Sequence, residues 1–318
     1  MKNHLKSIGA IAAAALFLAG CGSDAAEETT PTTTPAAVEL SDVAADEQET
    51  SKYERIVAVN SETADMALLL AGPDKVVAVA ASSQSPHMGQ VPDLARQVDN
   101  TLPPGVEPDA EQILSYDPDL VLITARHGAE DSVSDQLEST GVETISFDGS
   151  QFDTPEAYAA ALRELGAALG LEHKADALAA ELESDIAILD EKRDDSSPSF
   201  VALMARGPSI MAMGENNALP KLAVRAGATN AAAAIGLTTT GPIDAEQLLK
   251  SNPEIIFVED FNGSGLEPFQ EMLDNPALAD VEAIKNDRLV LVPMNEASAL
   301  AGLNMPTGYE KILTEVQK

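Results

Sequence analysis

A fifteen-residue block occurs twice in this chain: residues 109–123 read DAEQILSYDPDLVLI and residues 244–258 read DAEQLLKSNPEIIFV. Asp109-Ala110-Glu111-Gln112 returns as Asp244-Ala245-Glu246-Gln247, 135 residues later. An internal repeat restricts the fold more than composition does, because one structural unit has to be built twice. Each copy predicts a short helix opened by Asp as N-cap, with a Glu near the positive end of its dipole. Each then carries Asp-Pro or Asn-Pro, a helix breaker, ahead of an apolar strand.

The duplication extends upstream in weaker form. RIVAVN (55–60) leads to a helix over 62–71 and then to AGPDKVVAVA, while FVALMA (200–205) leads to LPKLAVRAGATNA. Unbroken apolar strands such as VVAVA, LVLI and IIFV fit parallel sheets covered on both faces. Strands alternating with helices give an α/β fold of two Rossmann-like lobes with mainly parallel sheets. Between them, residues 154–193 place Tyr158, Leu162, Leu165, Leu169, Leu178, Leu182, Ile186 and Leu189 at helical spacing. Thr154-Pro155 is a start signal and Gly170 a break; the part from 172 on is about 30 Å long at ~1.5 Å per residue, enough for a rigid strut between the lobes.

The ends set the expected compartment. Lys2 and Lys6 precede a twelve-residue apolar run at 8–19, too short to span a bilayer, which takes about 20 residues, but suited to a secretory signal. The run ends in Leu18-Ala19-Gly20-Cys21, which resembles a bacterial lipobox, with Cys21, the only cysteine, as the lipidated residue. Lipidation there leaves no thiol for a disulfide or a thiolate metal site. Residues 22–50 hold eight acidic residues, no Lys or Arg, and a TTPTTTP patch, the composition of a solvated tether. The expected division is a signal over 1–20, a tether over 21–52, a lobe over 53–153, a helical connector over 154–195 and a second lobe over 196–318. A formal charge of −33 becomes −35 without the signal's two lysines, which excludes a phosphate-binding role in nucleic-acid recognition. No GxSxG, HExxH, P-loop or GxGxxG motif points to an enzyme.

Taken together, the lipobox, the opening RIVAVNSETADMALLLAG, the paired Glu-Gln-Ile/Leu-Leu…Pro-Asp/Glu blocks and the central helix resemble class III substrate-binding lipoproteins of ABC importers, the family that serves ferric siderophores, haem and cobalamin. The resemblance covers about 53–316. It implies a ligand cleft between the lobes and a lipid-anchored monomer on the extracytoplasmic face of the cell membrane. It further implies a permease dimer as partner, no intrinsic cofactor, and an iron chelate as the ligand, with a ferric siderophore first and haem or cobalamin as rivals. A non-transport surface lipoprotein is the reading from another class. In the family one Glu per lobe docks on Arg pockets of the permease, and those positions fall on Glu111 and Glu246. Two like-charged knobs on matching surfaces suit a two-subunit partner, since carboxylate–Arg bonds are charge-assisted.

Ligands of such folds sit beyond the carboxyl ends of strands. The candidates there are Asn60, Ser61, His87, Met88, Arg126, His127, Met204, Arg206, Asp260, Asn262, Met294 and Asn295. His127 stands out as a ligand to iron in a chelate or haem, with Arg126 beside it for a carboxylate. His87-Met88 is a second pair able to supply axial ligands to haem iron. Met211 and Met213 read as core. With three histidines in the mature chain, at 87, 127 and 173, a bare-metal receptor is disfavoured.

Overall fold

The structure is a computed structural model describing residues 49–103, 108–125 and 128–318. Cys21, the expected signal and nearly all of the expected tether, along with Arg126 and His127, lie outside the described residues. The first lobe runs β1 (Ile56–Ala58), α1 (Ser61–Ala71), β2 (Val76–Ala80), α2 (Pro92–Ala95), β3 (Thr101–Leu102), α3 (Ala110–Ser115), β4 (Leu120–Ala125), α4 (Gly128–Thr140) and β5 (Glu143–Asp148). Its sheet is parallel throughout, in the order β3-β2-β1-β4-β5.

A connector follows, α5 (Pro155–Leu169) and α6 (Glu172–Asp190). The chain turns at Gly170-Leu171, and the two helices pack antiparallel. Arg163 of α5 reaches Asp176 and Glu183 of α6 at 3.0 and 2.6 Å. The strut is thus a helical hairpin. Lys174 at its turn donates to Leu70 O in the first lobe, 3.0 Å. At the far end of α6, Asp190 accepts from Arg225 and Tyr309 in the second lobe, at 2.7 Å each.

The second lobe comprises β6 (Ser199–Arg206), β7 (Ser209–Ala212), α7 (Ala218–Arg225), β8 (Thr229–Asn230), β9 (Gly241–Pro242), α8 (Ala245–Ser251), β10 (Ile255–Asp260), α9 (Gln270–Leu273), α10 (Glu282–Lys285), β11 (Leu289–Pro293), α11 (Met294–Ala297) and α12 (Met305–Val316). Its order is β11-β10-β6-β7-β9, with β8 parallel to the start of β6 and β7 antiparallel to its end. The parallel part, β8-β6-β10-β11, therefore matches β2-β1-β4-β5.

Alternation along the strands supplies both faces. Ile56, Ala58, Phe200, Ala202 and Phe257 join one continuous core that also takes in the connector and α12. Val57, Val121 and Ile123 face a separate core under α3 and α4, and Val201, Ile256 and Val258 face another under α8. Strands covered on both sides have no polar face to show, which explains the continuous apolar runs in the sequence.

The repeat is reproduced position by position. Asp109 caps α3 by accepting from Glu111 N at 2.9 Å, and Asp244 caps α8 by accepting from Gln247 N at 2.8 Å. Ile113 and Leu248 are buried at 0 % exposure, while Glu111 and Glu246 are exposed. Asp117 and Asn252, each before a proline, both take positive φ, 52° and 38°, a region open mainly to Asn, Asp and Gly. Asp119 then accepts from Glu54 N and Arg55 N at 2.7 and 2.9 Å, and Glu254 accepts from Ser199 N at 2.8 Å. Each carboxylate pins the entry of the neighbouring strand.

Candidate functional site

The carboxyl ends of β1, β6, β10 and β11 converge on a cavity of about 310 Å³, within the usual range for small-molecule sites. Both lobes line it. Asn60, Ser61 and Glu62, at the turn from β1 into α1, supply one wall together with Ser82 and Met88. Met204 and Arg206 at the end of β6, Met213 after β7, Glu259 on β10 and Met294 after β11 supply the other. Asp153 comes from the entry to the connector, Asn217 and Ala218 from the start of α7, and Ser298, Ala299 and Leu300 from the loop after α11.

Local bonds fix the first wall. Asn60 Oδ1 accepts from Thr124 N at 2.7 Å and ties the turn to β4, while Thr63 Oγ1 accepts from Asn60 N at 3.3 Å. The hydroxyls of Ser61 and Ser82 are bonded to each other. On the second wall Met204 and Met213 are 5 % and 2 % exposed, so their thioethers are held in place by packing. Four of the lining residues are methionines, and neither His nor an aromatic ring is among the described lining.

Glu259 is 3 % exposed and burial pushes its carboxyl up from the usual range, with Arg206 pulling it back. Arg206 Nη1 stands 3.5 Å from Glu259 Oε1, and its guanidinium lies over the Phe261 ring at 5.7 Å. That ion pair places a fixed positive group at the mouth of the cavity. Asp153 is likewise paired, with Lys221 Nζ at 3.1 Å.

Of the twelve candidate ligand residues, Asn60, Ser61, Met88, Met204, Arg206 and Met294 line the cavity. Arg126 and His127 fall outside the described residues. The other four do not line it. Asn262 Oδ1 accepts from Ser85 Oγ at 3.2 Å, Asn295 Nδ2 donates to Pro86 O at 3.2 Å, Asp260 accepts from Gly265 N at 2.8 Å, and the His87 ring lies against Gly263. Met213, read as core, is both core and cavity wall. Among the described residues no group of three or more His, Cys, Asp or Glu is placed to hold a metal ion, and no helix is long and apolar enough to cross a membrane.

Glu62, Ser82, Asp153, Asn217, Ala218, Glu259 and Ser298–Leu300 also line the cavity and are not among the twelve candidates. Asn217 and Asp153 each precede a helix start, a position that turns a backbone toward the cleft as surely as a strand end does. For Ser298–Leu300 no sequence signal existed.

A family model described as "Periplasmic binding protein" matches residues 56–295. Among solved structures, the periplasmic haem-binding protein RhuT from Roseiflexus sp. RS-1, in apo form, aligns at 23% identity over 83% of this chain and 100% of its own, with a TM-score of 0.70. A possible iron-binding periplasmic solute-binding protein from Staphylococcus epidermidis aligns at 17% identity over 84% and 100%, TM-score 0.68. The periplasmic vitamin B12-binding protein BtuF of Vibrio cholerae aligns at 17% identity over 83% and 96%, TM-score 0.65. At these identities the likeness to the solved structures is one of fold. No curated protein matches the chain in sequence.

Proposed function

The chain belongs to the periplasmic binding protein family, and on that premise we propose that it captures an iron chelate in its interlobe cavity for delivery to an ABC importer. The observation that carries the ligand reading is the methionine wall: Met88, Met204, Met213 and Met294 around one cavity. Thioethers are apolar, polarisable and adaptable, and suit the flat apolar body of a metal macrocycle better than a hydrophilic chelate. They are also soft donors able to ligate haem iron axially. Haem is therefore the favoured chelate, in keeping with a structural neighbour that binds it. A ferric siderophore is the second reading, favoured by Arg206 at the mouth and by the Ser61–Ser82 hydroxyls, which suit an anionic or oxygen-rich shell.

Absorbance of the purified protein titrated with haemin tests the choice. The expected result is a stoichiometric Soret shift that Met204→Gln with Met213→Gln weakens and Met204→Leu with Met213→Leu retains. Saturable uptake of a ferric trihydroxamate with no uptake of haemin would reverse the order of the two readings.

Delivery rests on Glu111 and Glu246, exposed at matching positions on short capped helices of the two lobes, where each offers a carboxylate to a basic pocket of the permease. Cys21 anchors the protein, a monomer, by lipid to the extracytoplasmic face of the membrane. Iron uptake by cells tests both ideas. Glu111→Ala with Glu246→Ala should abolish uptake while leaving haemin affinity unchanged, and Cys21→Ser should release the protein from membranes. A loss of haemin affinity in the Glu pair, or a Cys21→Ser protein that stays membrane-bound, would refute the respective part.

A further inference from the structure

Residues 85–91 belong to the first lobe but are fastened to the second. Ser85 Oγ donates to Asn262 Oδ1 at 3.2 Å. Asn295 Nδ2 reaches two carbonyls of the segment, Pro86 O at 3.2 Å and Gly89 O at 3.4 Å. Leu303 N donates to Gln90 Oε1 at 2.9 Å. The groups it meets follow the carboxyl ends of β10 and β11, the same ends that build the cavity.

The fit is steric as well as polar. Gly263 and Gly302 have positive φ, 75° and 48°. A Cβ on Gly263 would come within 2.7 Å of the His87 ring, and one on Gly302 within 2.1 Å of the Gln90 side chain. Two side chains of the segment therefore lie where the second lobe has no side chain of its own. In the first lobe, Asp65, fully buried on α1, accepts from Gln90 N at 3.0 Å. Gln90 Nε2 also donates to Tyr158 Oη of the connector at 3.2 Å.

Within this segment lies Met88, the one methionine that the first lobe contributes to the cavity among the described lining. We infer that residues 85–91 form an interlobe strap, and that Asn295 is a positioning residue whose amide, by holding Pro86 O and Gly89 O on either side of Met88, sets that thioether in the ligand cavity. The affinity part of this inference rests on the cavity being the ligand site. His87 and Asn262 then serve the site by bridging the lobes and Met88 by facing the ligand, which explains why neighbours in the sequence divide between the two tasks.

The test uses the full chain with 13C-labelled methionine methyl groups and haemin as probe. Asn295→Asp keeps the shape and removes the N–H donor; Asn295→Gln keeps a donor amide. Losing two hydrogen bonds of ordinary strength corresponds to about a tenfold loss in affinity. Asn295→Asp should shift the Met88 methyl resonance, identified by its absence in Met88→Leu, leave that of Met66 in the first-lobe core unmoved, and weaken haemin about tenfold; Asn295→Gln should recover part of both. An unmoved Met88 resonance, or Asn295→Asp binding haemin as the wild type does, overturns the inference. Should the wild-type protein take up no haemin, the ligand reading fails, and the Met88 resonance alone decides the strap.

Discussion

The two lobes are alike at one end of their sheets and unlike at the other. At the amino ends of the strands the copies agree closely: Asp119 and Glu254 share one backbone bond, from Arg55 N and from its counterpart Ser199 N, and Asp117 and Asn252 share the same rare backbone conformation. At the carboxyl ends they part. Strand register equates Ile56 with Phe200, since these pair with Leu120 and Ile255 of the repeat. Asn60 then corresponds to Met204, and Thr124 to Glu259. Where the first lobe ties its turn to β4 by the Asn60–Thr124 bond, the second puts a thioether and a buried carboxyl into the cavity. The amino ends hold the scaffold, and any change there costs stability. The carboxyl ends face the cleft, so they could diverge to shape one ligand between two different walls.

The sharpest way to break this comparison lies in the core between those ends. Phe257 and Phe200 pack edge-on, centroids 5.9 Å apart, where the first lobe has Leu122 and Ile56. If the lobes share one scaffold, Phe257→Leu with Phe200→Ile installs the first lobe's pair and should cost clearly less than a truncation to alanine. Phe257→Ala leaves a cavity and should cost about 3–5 kcal/mol. Urea denaturation measures both; a Leu-Ile variant as damaged as the Ala variant would mean that the two cores are not interchangeable.

This division also explains what could be read without coordinates. The scaffold was legible because a repeat leaves identical letters, and capping Asp, breaker Pro and apolar strand each have a local cause. The role that Asp119 and Glu254 share was harder to see than their alignment: it appears only when the pinned strands, 65 and 55 residues away, are known. Six of the twelve candidate residues, chosen for their place after strands, line the cavity. The same rule could not separate Met88, which faces the cavity, from His87, which faces Gly263, because that choice is made by the opposite lobe. Glu259 was missed because it lies within the strand, where an apolar residue is the expectation.

The next largest effect concerns pH. The first lobe buries Asp65 completely, and desolvation pushes its carboxyl up to about 8, against the opposing pull of Gln90 N and Val91 N. A group whose folded value is raised favours the fold while protonated; its contribution is complete below the unfolded value and is lost as pH rises through about 8. Between pH 6 and 7 the unfolded chain has already released this proton and the folded chain holds it, so stability should fall as pH rises across this interval, by on the order of 1 kcal/mol. Asp65→Asn should remove that slope, measured by urea midpoints at each pH. A wild-type profile flat over this interval would show that Asp65 is ionised in the fold, held by the backbone donors of the strap.

The smallest effect tests the amino ends themselves. Asp119 and Glu254 are exposed, yet both hold backbone at the entry of a strand, Asp119 by two N–H groups and Glu254 by one. Removing either should cost about 1 kcal/mol, the net worth of such bonds where water can replace the lost partner. Asp119→Ala and Glu254→Ala should therefore destabilise alike, and their costs should add in the double variant, because the two sites share no partner. Asp119→Glu and Glu254→Asp exchange the side-chain lengths and sharpen the point. Asp119 grips two consecutive N–H groups and needs its short reach, whereas Glu254 reaches Ser199 N and Ser199 Oγ together, at 2.8 and 3.1 Å. Each exchange should thus lose part of what alanine loses. If either were neutral, the repeat would conserve charge at these positions and not the bonds that the charge makes.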